Sequence, residues 1–173
     1  YKNGDLVSSA RNIKEYWSDN FIAFAIGCSF SFEDALLNAG LEIDHITNNK
    51  VVPMYRTNIK NKKSGPFNSE MVVSMRIFNQ KDINKVKQVS GNFSFAHGDP
   101  IHIGNPIEIG IKNILSPDWG DSPRKKSDEE EYIFWACGVT PQNAIIEAKI
   151  PFCITHTPGH MLITDISENS LHC

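Results

Sequence analysis

No stretch of this sequence stays apolar for the roughly 20 residues that a bilayer crossing needs, and no charged leader with a short apolar core and cleavage site opens it. Basic charge is sparse too: 17 Lys and Arg stand against 20 Asp and Glu, for a formal charge of −3 and a pI near 6.1. Without clustered cations there is no field to gather nucleic acid or anionic lipid. The tract Lys60, Lys62, Lys63 is short and broken by Asn61, so it reads as a solvated turn. Cysteine is too thin for a disulfide scaffold: Cys28, Cys137, Cys153 and Cys173 are spread over 173 residues, and reduced thiols are expected. Neither Cys-x-x-Cys nor His-Glu-x-x-His occurs. His156 and His160 have a spacing that a metal can use, but Pro158 and Gly159 oppose a helix there, and no metal is expected. These absences describe a soluble, cytoplasmic chain, long enough for one packed core with a modest insertion.

Against that background two segments share one pattern. Residues 21–27, Phe-Ile-Ala-Phe-Ala-Ile-Gly, form an unbroken apolar run, the signature of a strand covered on both faces. A helix is predicted next, capped by Ser31, with Glu33 and Asp34 in its first turn, Ala35, Leu36 and Leu37 as its buried stripe, and Gly40 ending it. A short strand through Leu41, Ile43 and Thr47, carrying His45, follows. Residues 132–156 repeat the order: an apolar and aromatic strand from Tyr132 to Ala136, a helix capped by Thr140 with Pro141 in its first turn and Ala144, Ile145 and Ile146 as its stripe, then Pro151 and a strand over 152–156. An offset of 109 pairs Cys28 with Cys137, Ser31 with Thr140, Leu36 with Ile145 and Leu37 with Ile146 without a gap.

The intervening sequence differs in texture. Strands are predicted over 54–59 and 71–78 around a Lys-Lys-Ser-Gly-Pro turn, a helix over 82–89 with Ile83, Val86 and Val89 inward, and an alternating strand through Ile107, Ile109 and Ile111. Residues 116–131 read as an exposed return connection. The expected fold class is α/β: a three-layer α/β/α core from the discontinuous segments 1–53 and 130–173, with a smaller α+β domain and return loop inserted over 54–129.

A cysteine ahead of a helix start sits near unpaired N–H groups and the positive end of the helix dipole, which favours a thiolate and an anion beside it. Cys28 and Cys137 therefore read as nucleophiles, as parts of a carboxylate cradle, or as small packing residues. Ser29 and Thr140 either cap or donate to a substrate. His97 and His102 lie in a glycine- and proline-shaped loop, and His156 in a second one; each can move a proton near neutral pH. Arginine is scarce, yet Arg56 and Arg76 each interrupt an apolar strand. A guanidinium there needs an anion, either a substrate carboxylate or an internal Asp or Glu.

Six motifs carry a resemblance: Gly-Cys-Ser-Phe-Ser-Phe-Glu at 27–33, Val-Pro-Met-Tyr-Arg-Thr-Asn at 52–58, Val-Val-Ser-Met-Arg at 72–76, His-Gly-Asp-Pro-Ile-His-Ile-Gly at 97–104, Phe-Trp-Ala-Cys-Gly-Val-Thr-Pro-Gln at 134–142 and Ile-Thr-His-Thr-Pro-Gly-His-Met at 154–161. Through them the chain resembles the hydro-lyase family that includes D-glutamate cyclase. The resemblance implies the three-layer core with its insertion, and conversion of D-glutamate to 5-oxo-D-proline with loss of water. Two departures stand out. Asp99 occupies a position where relatives often carry alanine, and family members usually begin with a further segment that does not precede Tyr1 here, so that part of the site is expected from that segment if it lines the cleft.

Cyclising glutamate requires the α-amine to lose a proton, attack the side-chain carboxyl carbon and expel one oxygen as water, which calls for a base, an acid and an oxyanion cradle. The expected assignment gives a substrate carboxylate to Arg56 or Arg76, with Ser29, Thr140 and Asn58 as further binding residues. Proton handling falls to His102, His156 or His97, and charge stabilisation to the helix starts after Cys28 and Cys137. Ring closure is intramolecular, so no cofactor is expected. The partner is a small carboxylate, and a homo-oligomer remains open. Two rival readings stand beside it: an amino-acid racemase or isomerase working with two thiols, and a non-catalytic binder of an acidic metabolite.

Overall fold

The computed structural model describes residues 1–166. Cys173 lies outside the described residues. The described chain contains four strands, β1 (Met54–Lys60), β2 (Glu70–Asn79), β3 (His102–Ile103) and β4 (Glu130–Ala136), and four α-helices, α1 (Glu33–Asn38), α2 (Asp44–Thr47), α3 (Ile83–Gly91) and α4 (Thr140–Glu147). Short 3-10 turns at Ser29–Phe32, Gln80–Asp82, Ser94–Ala96 and Pro106–Ile109 link them. The strands form one antiparallel sheet in the order β1-β2-β4-β3. Helices and strands are thus mixed around a single sheet, in keeping with an α/β chain. That sheet joins β1 and β2, from the expected insertion, to β4, from the expected core, along the ladder Val73↔Ala136 to Asn79↔Glu130.

Side chains alternate across a strand, and the register therefore assigns every strand residue to a face. Met54, Arg56, Val72, Ser74, Arg76, Phe78, Ile133 and Trp135 share one face; Tyr55, Val73, Met75, Ile77, Tyr132 and Phe134 share the other. The first face is covered by α1 and α3, which contribute Leu36 and Val86, and by Phe32 just before α1 and Phe93 just after α3, in a cluster with Phe78, Ile133 and Trp135. A smaller cluster of Val52, Met54, Val72 and Val139 adjoins it. On the second face Ile109 and Ile111 pack against Tyr55, Val73, Met75, Ile77, Tyr132 and Phe134. Six residues are too few for a helix to hold itself together in water. Burial of an apolar side chain is worth about 1.5–3 kcal/mol, and the complete burial of Leu36 fastens α1 to the sheet.

Strands β1, β2 and β4 and helix α3 fall where the sequence places them, with Val86 buried and Ile83 and Val89 packed against the core. Four predicted strands do not form. Residues 21–27 are extended but have no partner among the described residues; Ile22 and Phe24 are 80% and 83% exposed. An apolar run reports a tendency to be covered, whereas a strand also needs a neighbour for its N–H and C=O groups. Over 41–47 the burial alternates as expected through Leu41 and Ile43, but the chain then turns into α2. Residues 107–111 follow a 3-10 turn started by Asn105, whose side chain accepts from the Ile107 N–H, with Pro106 setting the first φ. Residues 152–156 form no ladder.

Two caps also differ from expectation. Ser31 lies inside the 3-10 turn and Phe32 takes the cap position of α1, while Thr140 is the first residue of α4 rather than its cap. In α4 the buried residues are Gln142 and Asn143, and Ala144, Ile145 and Ile146 are only half-buried.

Candidate functional site

The cysteine turns are built alike. Ser31 N–H donates to the Cys28 carbonyl at 3.0 Å, and Thr140 N–H to the Cys137 carbonyl at 3.0 Å. The helix ends match at the same offset. Ala39 N–H donates to Ala35, Gly40 to Leu37 and Leu41 to Leu36; Ala148 donates to Ala144, Lys149 to Ile146 and Ile150 to Ile145. Gly40 and Lys149 both take the left-handed backbone that such an ending requires, at φ +75° and +50°.

Tertiary packing brings the two turns against each other and against a third loop. Gly27 is pressed so closely on the Phe95–Ala96 backbone that a Cβ there would collide with the Phe95 carbonyl oxygen, while on the other side Gly138 lies 3.9 Å, measured from an ideal Cβ, from the Gly27 oxygen. The segments 27–29, 94–98 and 137–140 therefore converge over the Arg76 face of the sheet. Trp135 secures the 97–98 loop, its Nε1 donating to the Gly98 carbonyl at 2.9 Å and to Ser90 Oγ at 3.3 Å. Thr140 Oγ1 both accepts from Val72 N–H and donates to Val72 C=O, each at 3.1 Å, and Cys137 N–H donates to the same carbonyl at 3.0 Å.

Arg76 forms the centre of this convergence. Its guanidinium is fully buried, and Nε and Nη2 both donate to Glu33 Oε1, the former at 2.9 Å. Nη1 reaches Ser74 Oγ and Nη2 reaches Ser29 Oγ, each at 3.1 Å. The rings of Phe32 and Trp135 flank it at 5.2 and 5.3 Å. His45 Nε2 lies 3.1 Å from the same Glu33 oxygen. Burial pushes the Glu33 carboxyl up, but Arg76 and His45 together outweigh it and hold Glu33 below the usual carboxylate range. The anion that Arg76 needs is thus an internal glutamate, and Ser29 serves the same cluster.

Arg56 occupies the rim. Its Nη1 donates to Asp118 Oδ1 at 2.8 Å and its Nε to Asn143 Oδ1 at 3.2 Å, and the guanidinium lies 4.5 Å above the Trp119 ring. Half of its side chain remains exposed, and Nη2 has no hydrogen bond among the described residues. This leaves one donor edge open on an otherwise fixed guanidinium. Asn58, two residues on, follows a register shift in β1 and packs against Gly110 instead, away from Arg56.

The thiols differ from the activated nucleophiles that a helix start suggests. Burial raises Cys28, and it pushes Cys137 up to about 11 even though the Val139 N–H and Arg76 pull the other way. Both are protonated at neutral pH. Among the histidines, His97 ends the 94–96 turn at φ +57°, uncommon for a residue with a Cβ, and so belongs to the converging loops. His156 is tied to α4 through its carbonyl, which accepts from Gln142 Nε2 at 2.8 Å; burial first and His160 second hold its imidazole below the usual range. His156 also lines a cleft of about 170 Å³ with Leu6, Ile13, Tyr16 and Cys153. His102 is elsewhere: it pairs with Phe134, its ring tilted against that ring with centroids 5.6 Å apart, and thus lies on the opposite face of the sheet from both arginines.

Five residues of these two centres, Glu33, His45, Ser74, Asp118 and Asn143, were not legible as site residues. Glu33 reads as first-turn helix charge and His45 as a strand residue, and nothing local signals that 43 positions separate Glu33 from its arginine. The detectable signal is the scarcity of arginine, which marks Arg56 and Arg76 without naming their partners.

Residues 22–165 match the sequence profile described as D-glutamate cyclase. The chain belongs to the D-glutamate cyclase family. Three curated relatives, each bearing the name "Putative hydro-lyase", make the same point. One from Pelagibacter ubique is 47% identical over 171 residues, 99% of this chain and 66% of its own length. One from Dinoroseobacter shibae is 48% identical over 170 residues, covering 98% and 56%. One from Oceanobacillus iheyensis is 48% identical over 168 residues, covering 97% and 67%. The chain thus spans between about half and two thirds of the length of these curated relatives. Among the described residues, no helix is long and apolar enough to cross a membrane, and no three or more His, Cys, Asp or Glu gather as a metal would need.

Proposed function

We propose that the protein is a carbon–oxygen lyase of the hydro-lyase kind that converts D-glutamate, or a related acidic metabolite, to 5-oxo-D-proline and water. The observation that carries this reading is the family match over 22–165, which spans both arginine centres and all three converging loops. Arg56 is the residue that receives a substrate carboxylate, because its open Nη2 edge is held in place by Asp118, Asn143 and Trp119. Arg76 has the complementary task of fixing the turn that carries Ser29 and Cys28. His156, kept neutral by its surroundings, is suited to take the proton from the amine, with His97 of the converging loops as the second candidate. The N–H groups of Gly138 and Val139 at the start of α4 face the charge that develops on the attacked carboxyl. Because the amine and carboxyl belong to one molecule, holding the chain curled supplies much of the rate.

Incubation with D- and L-glutamate, followed by NMR for 5-oxoproline, tests the reaction. Turnover is expected with one enantiomer, lost in Arg56→Ala and kept in His102→Ala, with unchanged thermal unfolding in both. Full turnover in Arg56→Ala together with loss in His102→Ala would move the site to the other face. A ligand-dependent rise in melting temperature without product would instead describe a binder.

The adjacency of the two cysteine turns favours one second reading, an isomerase whose thiols address opposite sides of an α-carbon. The raised thiols oppose it, since proton abstraction needs a thiolate. Incorporation of solvent deuterium at the α-carbon separates the two, because cyclisation exchanges none.

A further inference from the structure

Cys28 and Cys137 are 109 positions apart in sequence, yet the fold brings their turns together. Cys137 follows Trp135 by two residues, just past β4, so its side chain lies on the Arg76 face, where it packs against the cluster of Val52, Met54, Val72 and Val139, as Phe30 does. Phe30 belongs to the turn that opens at Cys28, and Ser29 of that turn is hydrogen-bonded to Ser74, two residues beyond Val72 on the same face of β2. Gly138 and Gly27, the immediate neighbours of the two cysteines, face each other closely enough that a Cβ built on Gly138 would lie 3.9 Å from the Gly27 carbonyl oxygen. Each thiol is half-buried, and neither is in a disulfide. The two sulfurs also interact through their charge: ionising Cys28 makes Cys137 harder to ionise.

We propose that Cys28 and Cys137 form a redox-active dithiol, which a peroxide closes into a disulfide that staples the two pseudo-equivalent turns. Cys28 is the attacking thiol because it is the less buried of the two: burial and, less strongly, Glu33 raise it, but the N–H groups of Phe30 and Ser29 and the Arg76 charge offset part of that rise. Its thiolate attacks one peroxide oxygen and expels the other as hydroxide, which takes up the proton lost by Cys28, leaving a sulfenic acid and one water. Cys137, as thiolate, then attacks the Cys28 sulfur and expels that oxygen as hydroxide, which takes up the proton lost by Cys137. Two thiols and one hydrogen peroxide thus give one disulfide and two waters. The site offered to substrate is the same convergence of loops, so closure joins the oxidation state of the pair to access to that site. This step does not depend on the reaction proposed above.

The experiment treats the whole chain with hydrogen peroxide, blocks remaining thiols with N-ethylmaleimide under denaturing conditions, and maps the peptides without reduction. A single linked peptide pair containing Cys28 and Cys137 is expected, absent in Cys28→Ser and in Cys137→Ser, present in Cys153→Ser and reversed by dithiothreitol. Its rate of formation is expected to rise several-fold between about pH 7 and about pH 9, since both thiols must ionise from above the ordinary cysteine range. The map of the unsubstituted protein needs no variant to fold. Recovery of Cys28 and Cys137 as separate maleimide adducts, their oxidation to separate sulfinic acids, or linkage of either to Cys153 or to a second copy would overturn the proposal.

Discussion

The segment around α1 and the segment around α4 begin from one sequence pattern and reach different tertiary outcomes. Their turns and helix ends coincide bond for bond, from Ser31→Cys28 and Thr140→Cys137 to Leu41→Leu36 and Ile150→Ile145. Their strands do not coincide. Residues 130–136 pair with β2 along seven positions, while 21–27 pair with no strand among the described residues and 21–26 are exposed. The helices diverge as well: α1 buries Leu36 in an aromatic core, whereas α4 buries Gln142 and Asn143, whose amides bind the His156 carbonyl and the Arg56 guanidinium. Local hydrogen bonds close within a few residues and follow the sequence wherever it recurs. Strand pairing and helix burial depend on what stands opposite, and the two copies face different neighbours.

The largest expected effect lies on the α1 side alone. Glu33→Ala strips the buried Arg76 of its anion, and leaving a buried charge uncompensated costs about 3–5 kcal/mol; urea denaturation measures it. The α4 unit has no such pair, and Gln142→Ala removes one neutral hydrogen bond to the His156 carbonyl, which also accepts from Thr155 Oγ1; it is expected to cost less, about 0.5–1.5 kcal/mol. An equal loss in the two variants would break the comparison. The same pair sets a pH dependence. Because the folded Glu33 carboxyl is held below its unfolded value, its contribution is fully present above the unfolded value of about 4.3 and disappears as pH falls through the lower folded one. Stability measured from pH 7 downward should fall more steeply in the unsubstituted protein than in Glu33→Gln.

Next in size is the approach of the two turns. Gly27→Ala forces the Phe95–Ala96 backbone to move and is expected to cost about 1–3 kcal/mol. At the matching position of the second unit the residue is already alanine, and Ala136→Gly should cost only about 0.5–1 kcal/mol. The smallest effects come from the shared helix endings. Nothing lies within 4 Å of a Cβ built on Gly40, so Gly40→Ala meets only backbone strain, about 1 kcal/mol, and Lys149→Gly should gain about as much. Thermal unfolding of the two variants should therefore shift in opposite directions.

The repeated cysteine turn, the ending at Gly40, strands β1, β2 and β4 and helix α3 were all legible in the sequence, because each depends on residues within a turn or on one continuous pattern. The apolar alternation at 107–111 misled, since Asn105 and Pro106 start a turn that overrides it. The run at 21–27 misled in another way, as its composition describes a covered strand but cannot supply the cover. For the site, the sequence marked Arg56 and Arg76 by their isolation among apolar neighbours and left open whether a substrate or an internal acid would answer them. Only the tertiary structure gave Arg76 to Glu33 and the rim position to Arg56, and only the register of the sheet placed His102 on the far face. Hydrogen bonds that close within five residues are written into the chain, whereas a charge's partner and a side chain's face are decided by which strands meet and in what register, and a one-residue change in register reverses the face.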